Sequence, residues 1–138
     1  MSTTQSYQTI ESRLHELHET TSAPELGYDL LRIFNGMSET RINRIKDGKD
    51  NLSKESNTIV VKKLLAYTHC ATKNLAETLE SLKQDTKVLK AVRLLVVSDG
   101  ETVLGYDPVE EESYENTVER LRYDYQFLMP LAGVERYH

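Results

Sequence analysis

With 138 residues, 38% hydrophobic and 28% charged side chains, three prolines and six glycines, the sequence has the balance of one folded domain rather than of a disordered chain. No apolar run approaches the about 18 residues a membrane span needs, MSTTQSYQTIE carries no basic-then-apolar signal, and the single Cys70 excludes an internal disulfide or cysteine-rich zinc site, so the cytoplasm is the default compartment. The net charge of −5 argues against binding nucleic acid by bulk charge, yet Arg41 to Lys63 holds seven basic residues against three acidic ones, and Asp99 to Asp124 holds nine acidic residues against Arg120 and Arg122.

The chain opens with Tyr7, Ile10, Leu14 and Leu17 at helical spacing, one apolar stripe. HELHE at 15–19 is not the HExxH order of zinc proteases, and His15 and His18 have no obvious third ligand. Pro24 is placed to start a second helix whose buried stripe is Leu26, Leu30, Leu31 and Phe34, with Asn35-Gly36 as its stop. Ser38 is an N-cap for a third helix that turns Ile42 and Ile45 inward, leaves Arg41, Asn43, Arg44 and Lys46 toward solvent, and stops at Asp47-Gly48. The segment 26–48, above all MSETRINRIKDGK, resembles a phage-repressor-type helix-turn-helix.

From Thr58 the β-branched content rises. TIVVKKLLAYTH reads as a strand, or two short ones bent at Lys62-Lys63. TKNLAETLESLKQ reads as an amphipathic helix with Leu75, Leu79 and Leu82 on one face and Thr72 as its cap. VRLLVV is apolar on both faces, a central strand, and Asp99-Gly100 turns it back into ETVLGYD. The acidic PVEEESYENTVERL reads as a loop running into a helix, and YQFLMPLAG as a final apolar segment broken by Pro130. The succession predicts an α+β layer structure: residues 1–55 a helical subdomain and 56–138 a small mixed sheet flanked by helices, together one domain.

The ordered set LLRIFNGMSETRINRIKDGKDNLSK, VVKKLLAYTHC, RLLVVSDGETVLGYD and YQFLMPLAGVERYH resembles the N-terminal region of type IIG-like, single-chain restriction–modification enzymes. Those enzymes carry an adenine-specific, S-adenosylmethionine-dependent DNA methyltransferase further along, so the resemblance implies a piece of a longer protein. In some members this region resembles a PD-(D/E)xK nuclease, which needs an acid on one strand and an acid-x-Lys on the next to hold Mg²⁺ and activate water. The alignment implied by the resemblance puts those positions on Thr58, Thr68 and Cys70, none of them acidic or lysine, so the nuclease-like core reads as degenerate.

Asp99 and Asp107 do not restore it. They sit at opposite ends of a strand, roughly 20 Å apart at ~3.3 Å per residue, and one metal cannot span that gap. They read as hairpin punctuation. His69-Cys70 is no catalytic dyad, because neighbouring strand residues face opposite ways, and Cys70 reads as buried. The sequence has no glycine-rich phosphate loop, GxSxG, FxGxG or NPPY-type tetrapeptide. The expectation is a non-catalytic domain that grips the DNA backbone or braces the methyltransferase part of its parent chain. Arg41, Arg44, Lys46, Lys49 and Lys54 are its phosphate contacts, and Asn43 is the one residue suited to a base edge. S-adenosylmethionine and Mg²⁺ are expected only for the parent enzyme. The alternatives are a small helix-turn-helix regulator and an interaction module docking through its acidic half.

Overall fold

The structure is a computed structural model and describes residues 7–135. The ends of MSTTQSYQTIE and of VERYH therefore fall partly outside the described residues. Three helices lead: α1 (Tyr7–Thr20), α2 (Ala23–Leu30), whose last turn widens into a π-helix (Leu31–Asn35), and α3 (Glu39–Lys46). The stripes predicted from spacing are the buried ones: Ile10, Leu14 and Leu17; Leu26, Leu30, Leu31 and Phe34; Ile42 and Ile45. Ser38 caps α3, its hydroxyl accepting from the Arg41 N–H at 3.2 Å. Arg32 ties α2 to α3 by pairing with Asp29 at 2.9 Å and Glu39 at 2.8 Å.

Among the described residues five strands form one sheet in the order β1 (Thr58–Val61), β2 (Leu65–His69), β3 (Leu94–Ser98), β4 (Thr102–Asp107), β5 (Glu112–Thr117). The β2–β3 pair is parallel and the other three are antiparallel. A parallel pair needs a crossover, which α4 (Leu75–Gln84) and α5 (Thr86–Ala91) supply. With helices on both sides, β3 is buried along its whole length, as its unbroken apolar run requires.

One face of the sheet packs Ile59, Val61, Leu65, Tyr67, Leu94 and Val96 against the three N-terminal helices and the last segment. The other face packs Val60, Ala66 and Leu95 against Leu79, Leu82, Val88 and Leu89 of α4 and α5. Gly27 lets α2 lie directly on the sheet: a Cβ there would stand 2.6 Å from the Tyr67 ring, while the Tyr67 hydroxyl donates to the Ala23 carbonyl at 2.5 Å.

Three sequence expectations need correction, and one helix was not expected at all. PVEEESYENTVERL is not a loop leading to a helix. Residues 112–117 are strand β5, paired with β4 from Asp107↔Glu112 to Thr102↔Thr117. The Val118/Leu121 spacing that mimics a helix is a single 3₁₀ turn (Leu121–Tyr123). Thr72 does not cap α4. It begins a 3₁₀ turn (Thr72–Asn74), and its hydroxyl donates to Asp99 Oδ2 at 2.5 Å. Helix α5 has no counterpart in the sequence reading, and Asp85 caps it by accepting from the Lys87 and Val88 N–H groups. Cys70 is half-buried rather than buried, because it lies one residue beyond β2.

The final apolar segment is a 3₁₀ helix (Gln126–Ala132) with Pro130 inside it, buried from Phe127 to Ala132. Phe127 stacks on Tyr114 of β5 at 4.6 Å between ring centroids, in the space left by Gly105 of β4.

Candidate nucleic-acid interface

The β1–β2 hairpin fixes the three positions the nuclease alignment points to. Thr58 and Thr68 are direct cross-strand partners, and their hydroxyls are hydrogen-bonded at 2.9 Å. Cys70 lies one residue past the end of β2, where its N–H donates to the Ser98 carbonyl at 3.0 Å. The fold therefore brings Thr58 and Thr68 together and leaves Cys70 beyond the strand end. Their chemistry does not suit a hard divalent cation, which takes carboxylate and carbonyl oxygens. Two neutral hydroxyls already bonded to each other and a thiol offer no anionic oxygen. Among the described residues no group of three or more His, Cys, Asp or Glu is placed to hold a metal ion. His15, from the HELHE segment, instead sits with Nδ1 2.6 Å from Arg122 Nη1.

Asp99 and Asp107 are fully used by the backbone around them. Asp99 Oδ1 accepts from the Glu101 N–H at 2.8 Å and the Thr102 N–H at 2.7 Å, which builds the turn. Burial pushes its carboxyl pKa up, but the Thr72 hydroxyl and those backbone donors outweigh burial and hold it below the usual value. Asp107 has no solvent exposure and is bonded to the Arg93 guanidinium, with the Val109 and Glu110 N–H groups also donating to Oδ1 at 2.9 and 3.1 Å. Burial again opposes the charge, and Arg93 with the backbone donors wins, so the Asp107 pKa is lowered. Arg93 in turn holds Glu135 at 2.6 Å.

The basic candidates lie on α3 and the loop that follows. Arg41, Asn43, Arg44, Lys46, Lys49 and Lys54 are all exposed. Two of them are already engaged: Arg44 pairs with Asp50 at 2.9 Å, while Lys46 pairs with Glu25 at 3.3 Å and lies 4.9 Å from the Tyr28 ring centroid. Arg41, Lys49 and Lys54 form no ion pair within 4 Å among the described residues, and Arg41 adds to the charge that lowers the Asp50 carboxyl pKa.

The loop between α3 and β1 is pinned by a residue that sequence reasoning passed over. Asn51 Oδ1 accepts from the Ser53 and Val60 N–H groups, both at 2.9 Å, and Nδ2 donates to the Thr58 carbonyl at 3.3 Å. Leu52 N–H adds a bond to the Val60 carbonyl at 2.9 Å. The loop thus covers the outer edge of β1 as a surrogate strand and fixes Lys54 beside Thr58. An Asn seven residues before a strand was the only available signal, and it is a weak one.

Two clefts meet at this loop. One, of about 470 Å³, lies between the helices and the hairpin and is bordered by Tyr28, Lys46, Asn57 and His69. The other, of about 490 Å³, lies between the loop and α5 and is bordered by Leu52, Val60, Leu82 and Lys87. Lys54 and Thr58 border both. No helix among the described residues is long and apolar enough to cross a membrane.

The family model described as "MmeI, N-terminal domain" covers residues 3–138. DNA methyltransferase A of Bacillus subtilis (strain 168) is 24% identical over 128 residues, which is 92% of this chain and 14% of that protein. The chain therefore spans about one-seventh of the curated relative it matches. No solved structure matches it. With nearly its whole length covered, the chain belongs to the MmeI N-terminal domain family, the leading domain of type IIG restriction–modification enzymes.

Proposed function

We propose that this domain grips the DNA backbone for its parent restriction–modification enzyme and does not cut it. The observation that carries the reading is the pairing of two features at one place. Lys54 and Lys46 border a cleft into which one nuclease-aligned position opens, Thr58, its hydroxyl bonded to that of the buried Thr68, and Arg41 and Lys49 are further exposed cations on α3 and the loop that follows it. A site with DNA-directed charge but no metal-binding oxygen holds without hydrolysing. Asn43, exposed on α3, is the candidate for a base-edge contact. Methyl transfer from S-adenosylmethionine, and any Mg²⁺ chemistry, are the work of the methyltransferase part of the parent chain, which this domain braces on DNA.

The test is the salt dependence of binding to a fluorescent duplex. Each phosphate contact adds about −0.9 to the slope of log affinity against log salt. The combined substitution Arg41→Ala, Lys49→Ala and Lys54→Ala is expected to flatten that slope by about 3. An unchanged slope and affinity in a folded triple variant would remove these residues from the interface.

A further inference from the structure

The segment 41–54 does not exhaust the cations on this side of the molecule. Lys87 and Lys90 lie on α5, and Lys62 and Lys63 lie on the β1–β2 turn; all four are exposed. The fold joins the two pairs. Lys63 has φ of 70°, a left-handed turn residue, and its N–H donates to the Ala91 carbonyl at 2.6 Å, which docks the hairpin turn on the end of α5. The four are far from the 41–54 segment in sequence only. Lys87 and Lys54 border the same cleft, and Lys54 and Lys46 border the next one.

Resting on the reading of the domain as a DNA-gripping module, we propose that the DNA backbone follows a continuous trough from α3 over Lys54 and Thr58 to α5 and the β1–β2 turn, with Lys62, Lys63, Lys87 and Lys90 as its second set of phosphate contacts. Three observations support this path. Lys54 and Lys87 border the second cleft, where the acidic groups are Glu55 and Asp85, and the Asp85 carboxylate is turned onto the N–H groups of Lys87 and Val88 at 3.1 and 3.2 Å; Lys62, Lys63 and Lys90 lie just outside it, on the turn and helix end that the Lys63–Ala91 hydrogen bond joins. None of the five has a carboxylate partner among the described residues, whereas the nearby Lys83 is tied to Glu80 at 3.4 Å. The floor of the second cleft is Leu52, Val60, Leu82 and Val88, with no aromatic ring bordering it. Bases of a single strand would find nothing to stack on there, whereas a duplex backbone needs only the rim of charge.

The trough also crosses Thr58, so DNA lying in it passes one of the positions where the family resemblance puts nuclease chemistry. The path explains how a domain can keep the DNA track of a nuclease while offering the backbone no hydrolytic group.

The experiment compares the unmodified chain, the variant K62A/K63A/K87A/K90A and the variant R41A/K49A/K54A on a labelled duplex, from about 50 to about 200 mM salt. The quadruple variant is expected to bind at least about tenfold more weakly at the low-salt end, with a slope flatter by roughly 3 to 4. Circular dichroism confirms folding, and the charge reversal K62E/K63E, confined to the turn, should weaken binding in the same direction. If the quadruple variant keeps the affinity and slope of the unmodified chain while the triple variant loses both, this path is wrong and the apolar, basic-rimmed cleft is left to an acidic peptide partner. If the unmodified chain binds no duplex even at low salt, the gripping reading itself fails, and the path with it.

Discussion

The β1–β2 and β3–β4 hairpins carry opposite chemistry in similar geometry. On β1–β2, the positions aligned with a metal site are a pair of threonines bonded to each other and a cysteine beyond the strand. On β3–β4, two aspartates stand at the strand ends, and each is consumed by its surroundings: Asp99 by the turn, Asp107 by Arg93 and the exit from the strand. A carboxylate is therefore no guide to a hydrolytic site here. What matters is whether its lone pairs are left over once the backbone has been satisfied, and at both aspartates local donors take them up.

The largest expected effect comes from breaking the buried pair. Asp107→Ala leaves Arg93, whose side chain is 14% exposed, without its internal partner, and should cost about 3–5 kcal/mol in denaturant unfolding. A loss below about 1 kcal/mol would place the pair with ordinary surface ion pairs and erase the contrast between the hairpins. Next in size is Asp99→Ala, which removes two turn hydrogen bonds and should cost about 1–2 kcal/mol. Asn51→Ala belongs in the same range, with a second readout: the loop holding Lys54 loosens, so DNA affinity falls along with stability.

Acid titration sharpens the same contrast. Both aspartates have lowered pKa values in the folded state, so the stability they contribute is fully present above the ordinary carboxylate value near ~3.9 and is lost as pH falls through the depressed folded values. Asp107→Asn should therefore flatten the acid limb of the stability profile, and an unchanged limb would mean that Asp107 is not the group titrating there. The smallest effect belongs to the threonine pair. Thr58→Val removes one cross-strand hydrogen bond and should cost about 0.5–1 kcal/mol in denaturant unfolding.

Much of this architecture was legible in the sequence, for physical reasons that differ by element. The N-terminal helices show because each buries one stripe at regular spacing, and β3 shows because it is apolar on both faces. Strand β5 does not show: as an edge strand it exposes Glu112, Ser113 and Glu115, so no alternation of apolar residues marks it. Helix α5 has six residues, under two turns, too short for a period to emerge.

At the candidate site, the bend at Lys62-Lys63 was readable, whereas the facing of Thr58 and Thr68 comes from the strand register. The trough was not. It depends on Asn51 folding a loop back onto β1 and on Lys63 meeting Ala91, contacts between parts of the chain whose sequences give no sign of each other. The Arg93–Asp107 pair is hidden in the same way, since an aspartate before proline already has a sufficient local explanation as a strand exit.

The measurement that bears most directly on the central claim is a plasmid gel. Supercoiled DNA is incubated with the unmodified chain and Mg²⁺ or Mn²⁺, then run with and without prior removal of protein. The account predicts retarded migration at low salt and fully supercoiled plasmid once the protein is stripped away. Nicked plasmid that survives repurification of the chain, or no retardation at any salt, would contradict it.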